Sequence, residues 1–210
     1  MRSSQGVAPE AVAGPPLPHL PLASRDEEDP LPLLGEREFT ASLIKDTRGP
    51  VVEIGVGTCA CLTLVLAAHG LHILTIDQDA AAVGGAQKIL SGVGLLGQVA
   101  VVQAEAASLP LRSRSVRTVL AYDALHHAAD LWAAVAGIAA VLHPCGRLIV
   151  SDWDEAANGF LGRLTQALRT HFRKVVVLPR KESRVYVCEH PRRVARRAGS
   201  WSRRKRSPRR

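Results

Sequence analysis

Val51-Val52-Glu53-Ile54-Gly55-Val56-Gly57-Thr58-Cys59-Ala60 is the stretch whose reading decides the fold of this 210-residue chain. Its first four residues, three of them apolar, read as a short buried strand. Two glycines then read as a tight turn, and Leu62 to His69 as a buried helix stopped by Gly70. A strand, a glycine turn and a helix in that order let the backbone approach a ligand closely, and the helix points its first N–H groups at that ligand. The pattern suits a nucleotide-bearing ligand. Gly55, Gly57 and Ala60 also fit the loose dinucleotide fingerprint, whose last glycine can be alanine. The rest of the chain must therefore choose the ligand.

Working outward, Gly35 to Lys45 has helical spacing, with Phe39, Leu43 and Ile44 on one side, and Arg48-Gly49-Pro50 breaks it before the first strand. That helix is placed to roof the glycine turn. Downstream, Leu71 to Ile76 is a second strand ending at Asp77, Ala80 to Leu90 a helix, and Val99 to Gln103 a third strand followed by Glu105. Val116 to Tyr122 is a fourth strand followed by Asp123, Leu131 to Leu142 an Ala-rich helix, and Arg147 to Ser151 a fifth strand entered through a turn at His143-Pro144-Cys145-Gly146. Ala156 to Phe172 reads as a helix. Lys174 to Leu178 and Arg184 to Cys188 read as two strands close enough to form an antiparallel hairpin.

Strand and helix alternate five times before that hairpin. The alternation predicts an α/β fold: a Rossmann-like, doubly wound, seven-stranded, mostly parallel sheet with a C-terminal antiparallel hairpin and helices on both faces. Residues 1–33, rich in Pro and acid and without hydrophobic period, are expected to be a disordered lead-in, residues 34–190 the folded domain, and residues 191–210 a basic disordered tail.

The net charge of +8 belongs to that tail. Pro191 to Arg210 holds ten Arg or Lys and no acid, which leaves 17 basic against 19 acidic groups over residues 1–190. Such a run can bind nucleic acid, anionic lipid or an acidic partner through residues 191–210 by charge alone, or be a solvated end. Arg203-Arg204-Lys205-Arg206 also resembles a nuclear-import patch in a eukaryotic setting. The longest uncharged apolar stretch, Leu131 to Leu142, falls short of the roughly 20 residues a membrane span needs, so no membrane span is expected. Four cysteines, at 59, 61, 145 and 188, are too few for a disulfide scaffold and suggest a reducing, cytoplasmic setting. Cys59 and Cys61 are expected on the helix after the turn as small apolar residues, and no metal site is expected.

In a sheet of this kind ligands bind beyond the carboxyl ends of the strands. Four successive strands end near Glu53, Asp77, Glu105 and Asp123, and four acids at equivalent positions mark a site. Their sign selects the ligand. A carboxylate two residues before the first glycine would repel a dinucleotide pyrophosphate, whereas S-adenosylmethionine brings an ammonium, a sulfonium, ribose hydroxyls and an adenine amine, all of which suit acidic partners.

Residues 51 to 152 resemble the class I S-adenosylmethionine-dependent methyltransferases, especially the ubiquinone-biosynthesis-like small-molecule group. Glu53-Ile54-Gly55-Val56-Gly57-Thr58-Cys59 is similar to the family's first motif and Ile76-Asp77-Gln78-Asp79 to its second, 22 positions after Gly55. Glu105-Ala106-Ala107-Ser108-Leu109-Pro110-Leu111 is similar to the third, Tyr122-Asp123-Ala124-Leu125-His126-His127 to the fourth, and Val141 to Leu148 to the turn before strand five. The resemblance implies a cofactor set of Glu53, Gly55, Gly57, Asp77, Gln78, Glu105, Ala106 and Tyr122. Within it Glu53 serves the methionine end, Asp77 the ribose hydroxyls and Glu105 the adenine amine. Asp123 and His126 are the candidate catalytic residues, needed only where the acceptor holds a proton.

Three positions depart from the family pattern: Cys59 and Cys145 stand where glycine is usual, and Arg117 where Asp is usual. The expected activity is methyl transfer to a small-molecule acceptor. The alternative is a methyltransferase-fold binding module whose Arg-rich tail docks on nucleic acid or an acidic partner. A nicotinamide-dependent oxidoreductase is disfavoured by Glu53 and by the Glu105 to Pro110 pattern.

Overall fold

The computed structural model describes residues 31–153, 159–180 and 183–192. Strands β1 (Val51–Ile54), β2 (Ile73–Asp77), β3 (Val99–Gln103), β4 (Val116–Tyr122), β5 (Leu142–Trp153), β6 (Phe172–Pro179) and β7 (Ser183–Pro191) form one sheet in the order β3-β2-β1-β4-β5-β7-β6. The first five run parallel. β7 pairs antiparallel with both β5 and β6, so the C-terminal hairpin enters the sheet with its second strand innermost.

Five helices cover the sheet: α1 (Leu31–Ser42), α2 (Cys61–Ala68), α3 (Ala80–Gly92), α4 (Leu131–Val141) and α5 (Phe160–His171). Side chains alternate across each strand, and that period sorts the core into two layers. Val52, Ile54, Val119, Ala121, Leu148 and Val150 pack with Val135 and Ile138 of α4 and Leu161 and Leu164 of α5. Val51, Leu120, Tyr122 and Ile149 face the other way, onto Ala41 of α1, Leu62 and Leu66 of α2 and Leu90 of α3. Two of the loops after strands cap the helix they lead into. Asp79 accepts from the Ala81 N–H (2.9 Å) to cap α3, and Asp130 accepts from the Ala133 N–H (3.0 Å) to cap α4.

Several sequence expectations shift. α1 begins at Leu31 rather than Gly35, with Pro32 in its first turn, where a missing N–H costs nothing. β2 begins two residues later than Leu71, because Leu71 and His72 still belong to the connection from α2. The expected turn at 143–146 lies inside β5. The register there slips from Val116↔Leu142 to Thr118↔Arg147, so the extra residues bulge within a continuous strand. α5 is described only from Phe160, and the start expected at Ala156 lies outside the described residues, as do the lead-in through residue 30 and the run from 193.

The cysteine expectation is overturned. Cys59 is exposed in the turn, Cys61 opens α2, and their sulfurs are joined in a disulfide. Spacing alone hid this. Gly57 and Ala60 both take left-handed backbone conformations (φ +61° and +48°), and the curled turn brings the two side chains together. Among the described residues no helix is long and apolar enough to cross a membrane.

Candidate active site

The sheet order reverses between β1 and β4, and the carboxyl ends of those strands open into a cavity of about 490 Å³. Glu53, Asp77, Glu105 and Asp123 all line it, together with Gly55, Gly57, Gln78, Ala106 and Tyr122. The structure therefore gathers nine of the ten residues nominated from sequence around one space. His126 is the exception; its neighbour His127 lines the cavity instead.

Gly55 sits at φ +84°, and a Cβ there would meet Ala124 Cβ at 2.5 Å, so only glycine lets the first turn lie under the β4 loop. A Cβ on Gly57 would meet nothing within 4 Å. Asp77 fastens this turn to β2. One carboxylate oxygen accepts from the Gly57 N–H (3.2 Å) and the other from the Asp79 N–H (3.0 Å). Each oxygen keeps a second lone pair for a ligand hydroxyl. Gln78 donates to the His127 carbonyl (3.3 Å) and its own carbonyl accepts from Gln103 (3.1 Å), tying the β2 end to the loop after β4. Glu105 is exposed and precedes a 3-10 turn, Ala106–Ser108, against which α4 packs through Gly137.

Glu53 differs from the other three acids. It is 1% exposed, on the α2 face of the sheet, and accepts a 2.6 Å hydrogen bond from the Thr63 hydroxyl. Burial raises its pKa to about 7, against the lowering effect of Thr63. Tyr122 is also buried. Its hydroxyl has no partner among the described residues and is pushed up to about 12 by burial, against the opposing field of Arg37.

Arg37 and Asp152 escaped the sequence reading. The Arg37 guanidinium lies 5.8 Å from the centre of the Tyr122 ring and lines the cavity. Its helix is held on either side: Glu36 pairs with Arg180 (3.2 Å) and accepts from Ser183 (3.1 Å), while Glu38 meets His69 (2.9 Å). Three successive charged residues carried no signal of which one faced inward. On the opposite layer, His126 Nδ1 stands 3.1 Å from Asp152 Oδ1 and 3.7 Å from Asp123 Oδ1. The Asp152 side chain is 2% exposed, its Oδ2 has no partner among the described residues, and burial lifts its pKa to about 6, against the lowering effect of His126. Asp123 takes a left-handed conformation (φ +50°) that turns its exposed side chain toward His126. One ligand atom from each of these three residues lies within 4.8 Å of the others, so the group can hold a proton between carboxylates or a cation.

The cavity's chemistry fits a cationic, hydroxyl-bearing ligand. Its glycine turn leaves room at Gly57, its strand ends carry four carboxylates, and one guanidinium stands ready for a ligand carboxylate.

Residues 52–150 match the family described as Methyltransferase domain. The chain is 29% identical to the O-methyltransferase resE of Aspergillus sclerotiorum over 116 residues, which cover 55% of this chain and 44% of that protein. It is 30% identical to the O-methyltransferase rstn1 of Aspergillus nomiae over 120 residues, 57% of this chain and 51% of that one. The chain thus spans about half the length of the curated relatives it matches. The structure of an S-adenosylmethionine-dependent methyltransferase from Aquifex aeolicus superposes with a TM-score of 0.60 at 15% identity, covering 77% of this chain and 98% of that one, a likeness of fold alone. Gly55, Asp77 and Glu105 fall inside the matched residues, S-adenosylmethionine is the cofactor the match implies, and residues 52–150 of this chain form a methyltransferase domain.

Proposed function

We propose that this protein transfers the methyl group of S-adenosylmethionine to a hydroxyl oxygen of a small-molecule acceptor. The observation that carries the reading is the convergence of four strand-end carboxylates and a glycine turn on one cavity. Asp77 would take the ribose hydroxyls, Glu105 and Ala106 the adenine, and Glu53, Gly55 and Gly57 the methionine end. Arg37 would meet the methionine carboxylate, with Gln78 and Tyr122 shaping the walls. When bound, the cofactor supplies an electrophilic methyl on a positive sulfur.

The chain's own residues then have two tasks. One is alignment, since in-line displacement gains much of its rate from holding the reactants in place. The other is taking the acceptor proton. With Asp152 accepting Nδ1–H, His126 would keep Nε2 for the acceptor proton, beside Asp123 and His127, which line the cavity. Oxygen is favoured as the acceptor atom because a hydroxyl needs such a base and because both curated relatives are named O-methyltransferases. The basic run 191–210 is assigned to a nucleic acid or another acidic partner on its charge.

The test is calorimetric titration with S-adenosylhomocysteine, with NAD as control and Asp77→Ala as variant. Binding of the thioether, no binding of NAD, and a loss of at least about tenfold in the variant are expected, since two hydrogen bonds to a charged group disappear. Folded protein that ignores S-adenosylhomocysteine would sink the reading. Cofactor binding without methylation of any hydroxyl acceptor would favour the binding-module alternative.

A further inference from the structure

A second basin, of about 470 Å³, opens at the amino ends of β4 and β5, the end of the sheet opposite the active site. Arg48, Arg117 and Arg147 line it, with Thr47 and Thr118 beside them. Strand register builds one wall. Thr118 is the in-register neighbour of Arg147, Arg147 of Glu189 and Glu189 of Lys174, so these four side chains share one row across the sheet. Thr47, in the connection from α1 to β1, joins that row: its hydroxyl accepts from Arg147 (3.2 Å) and lies 3.1 Å from the Thr118 hydroxyl. One guanidinium is thereby oriented.

Two features of the basin call for an anion. The first is a spare hydroxyl proton. Thr47 and Thr118 carry two between them, their mutual bond uses one, and Arg147 takes up only a lone pair, so one O–H has no acceptor among the described residues at a place where Thr118 is buried. The second is charge. Glu189 is engaged by Lys174 at 2.7 Å, which holds its carboxyl below the usual range, and Asp46 on the lining offsets one guanidinium. Arg48 and Arg117 have no ion-pair partner among the described residues. Two positive charges therefore remain. Arg117 creates that excess, since it stands where the family pattern usually has Asp, and an acid there would cancel it.

We infer that this basin binds a phosphate group, either as the free ion or as the end of a small phosphomonoester. A dianion matches the two uncompensated charges, and each planar fork can take two phosphate oxygens at once. A lone carboxylate would occupy one fork and leave the other unpaired. The volume lies in the range of small-ligand clefts, so a group bearing the phosphate has room beside it. No large apolar side chain lines the basin to hold an acyl chain. The seven residues of β4, at about 3.3 Å each, keep the basin roughly 20 Å from the cavity, so the phosphate is held away from the reacting methyl.

The test is calorimetric titration of the full chain, at fixed ionic strength, with inorganic phosphate, ribose 5-phosphate and, as the uncharged control, ribose. Saturable binding of both phosphates and none of ribose is expected. Arg48→Gln combined with Arg117→Gln should weaken it at least about tenfold, since charged hydrogen bonds are lost, while S-adenosylhomocysteine binding stays unchanged. In the unmodified protein either phosphate should shield Arg48 and Arg117 from phenylglyoxal and leave Arg112 and Arg169, exposed elsewhere, reactive, a readout independent of how the variant folds. Either order of affinity between the two phosphates upholds the inference, and the order tells which source the basin prefers. It is overturned by the absence of saturable binding, by binding that the double variant leaves unchanged, or by equal shielding of all four arginines.

Discussion

At the scale of single residues, the proposed general base makes Asp152 the group that would set when His126 acts. Only the ionised carboxylate of Asp152 offsets the charge His126 would gain on taking a proton, and burial raises its pKa to about 6, so the rate should fall as pH drops through that value. Asp152→Asn should cost on the order of 10²-fold in kcat, within the range for general-base catalysis, and displace the acid limb. The measurement is kcat/KM against pH with the hydroxyl acceptor that a screen yields. An unchanged limb would reduce Asp152 to a packing residue. Activity that survives EDTA would show that the reaction needs no chelatable metal at Asp123, His126 and Asp152.

At the scale of elements, α4 positions the turn after Glu105 through one missing side chain. A Cβ on Gly137 would clash with the Ala106 carbonyl and stand 2.9 Å from the Ala107 carbonyl, both backbone atoms of the turn after Glu105. Alanine is the better helix former by about 1 kcal/mol, yet overpacking costs about 1–3 kcal/mol, so Gly137→Ala should lower stability or displace the turn. Thermal unfolding beside S-adenosylhomocysteine affinity reports both. A neutral variant would mean that the turn yields freely. α1 is fixed differently, by Glu36 and by the Arg180 guanidinium stacked 4.1 Å from the Phe39 ring, and so the helix that carries Arg37 to the cavity depends on the C-terminal hairpin.

For the whole molecule, the two buried carboxyls set a pH trend. Glu53 has a folded pKa of about 7 against an ordinary 4.5, and Asp152 about 6 against 3.8. Between those values the folded chain holds protons that the unfolded chain has released. Stability therefore falls as pH rises, through roughly 4.5 to 7 for Glu53 and 3.8 to 6 for Asp152, by on the order of a few kcal/mol. Glu53→Gln keeps the Thr63 contact without the charge. It should flatten the decline and raise the urea midpoint at about pH 8. A midpoint that falls there would mean that the ionised carboxylate is already compensated.

The parallel order of the first five strands, the glycine turn and the acids near the carboxyl ends of β1 to β4 were legible in the sequence, because each rests on local period, turn chemistry and spacing. Contacts between distant segments were not. Arg37 enters the cavity because Glu36 and Glu38 hold their helix from both sides, and Asp152 meets His126 because β4 and β5 are neighbours in register. The Cys59–Cys61 disulfide depended on left-handed backbone at Gly57 and Ala60. Sequence alone determined the fold class and the cofactor chemistry, since both follow from patterns a few residues long. Only the tertiary structure decided which side chains share a cavity, because burial and charge pairing are set by residues that the chain keeps far apart until it folds.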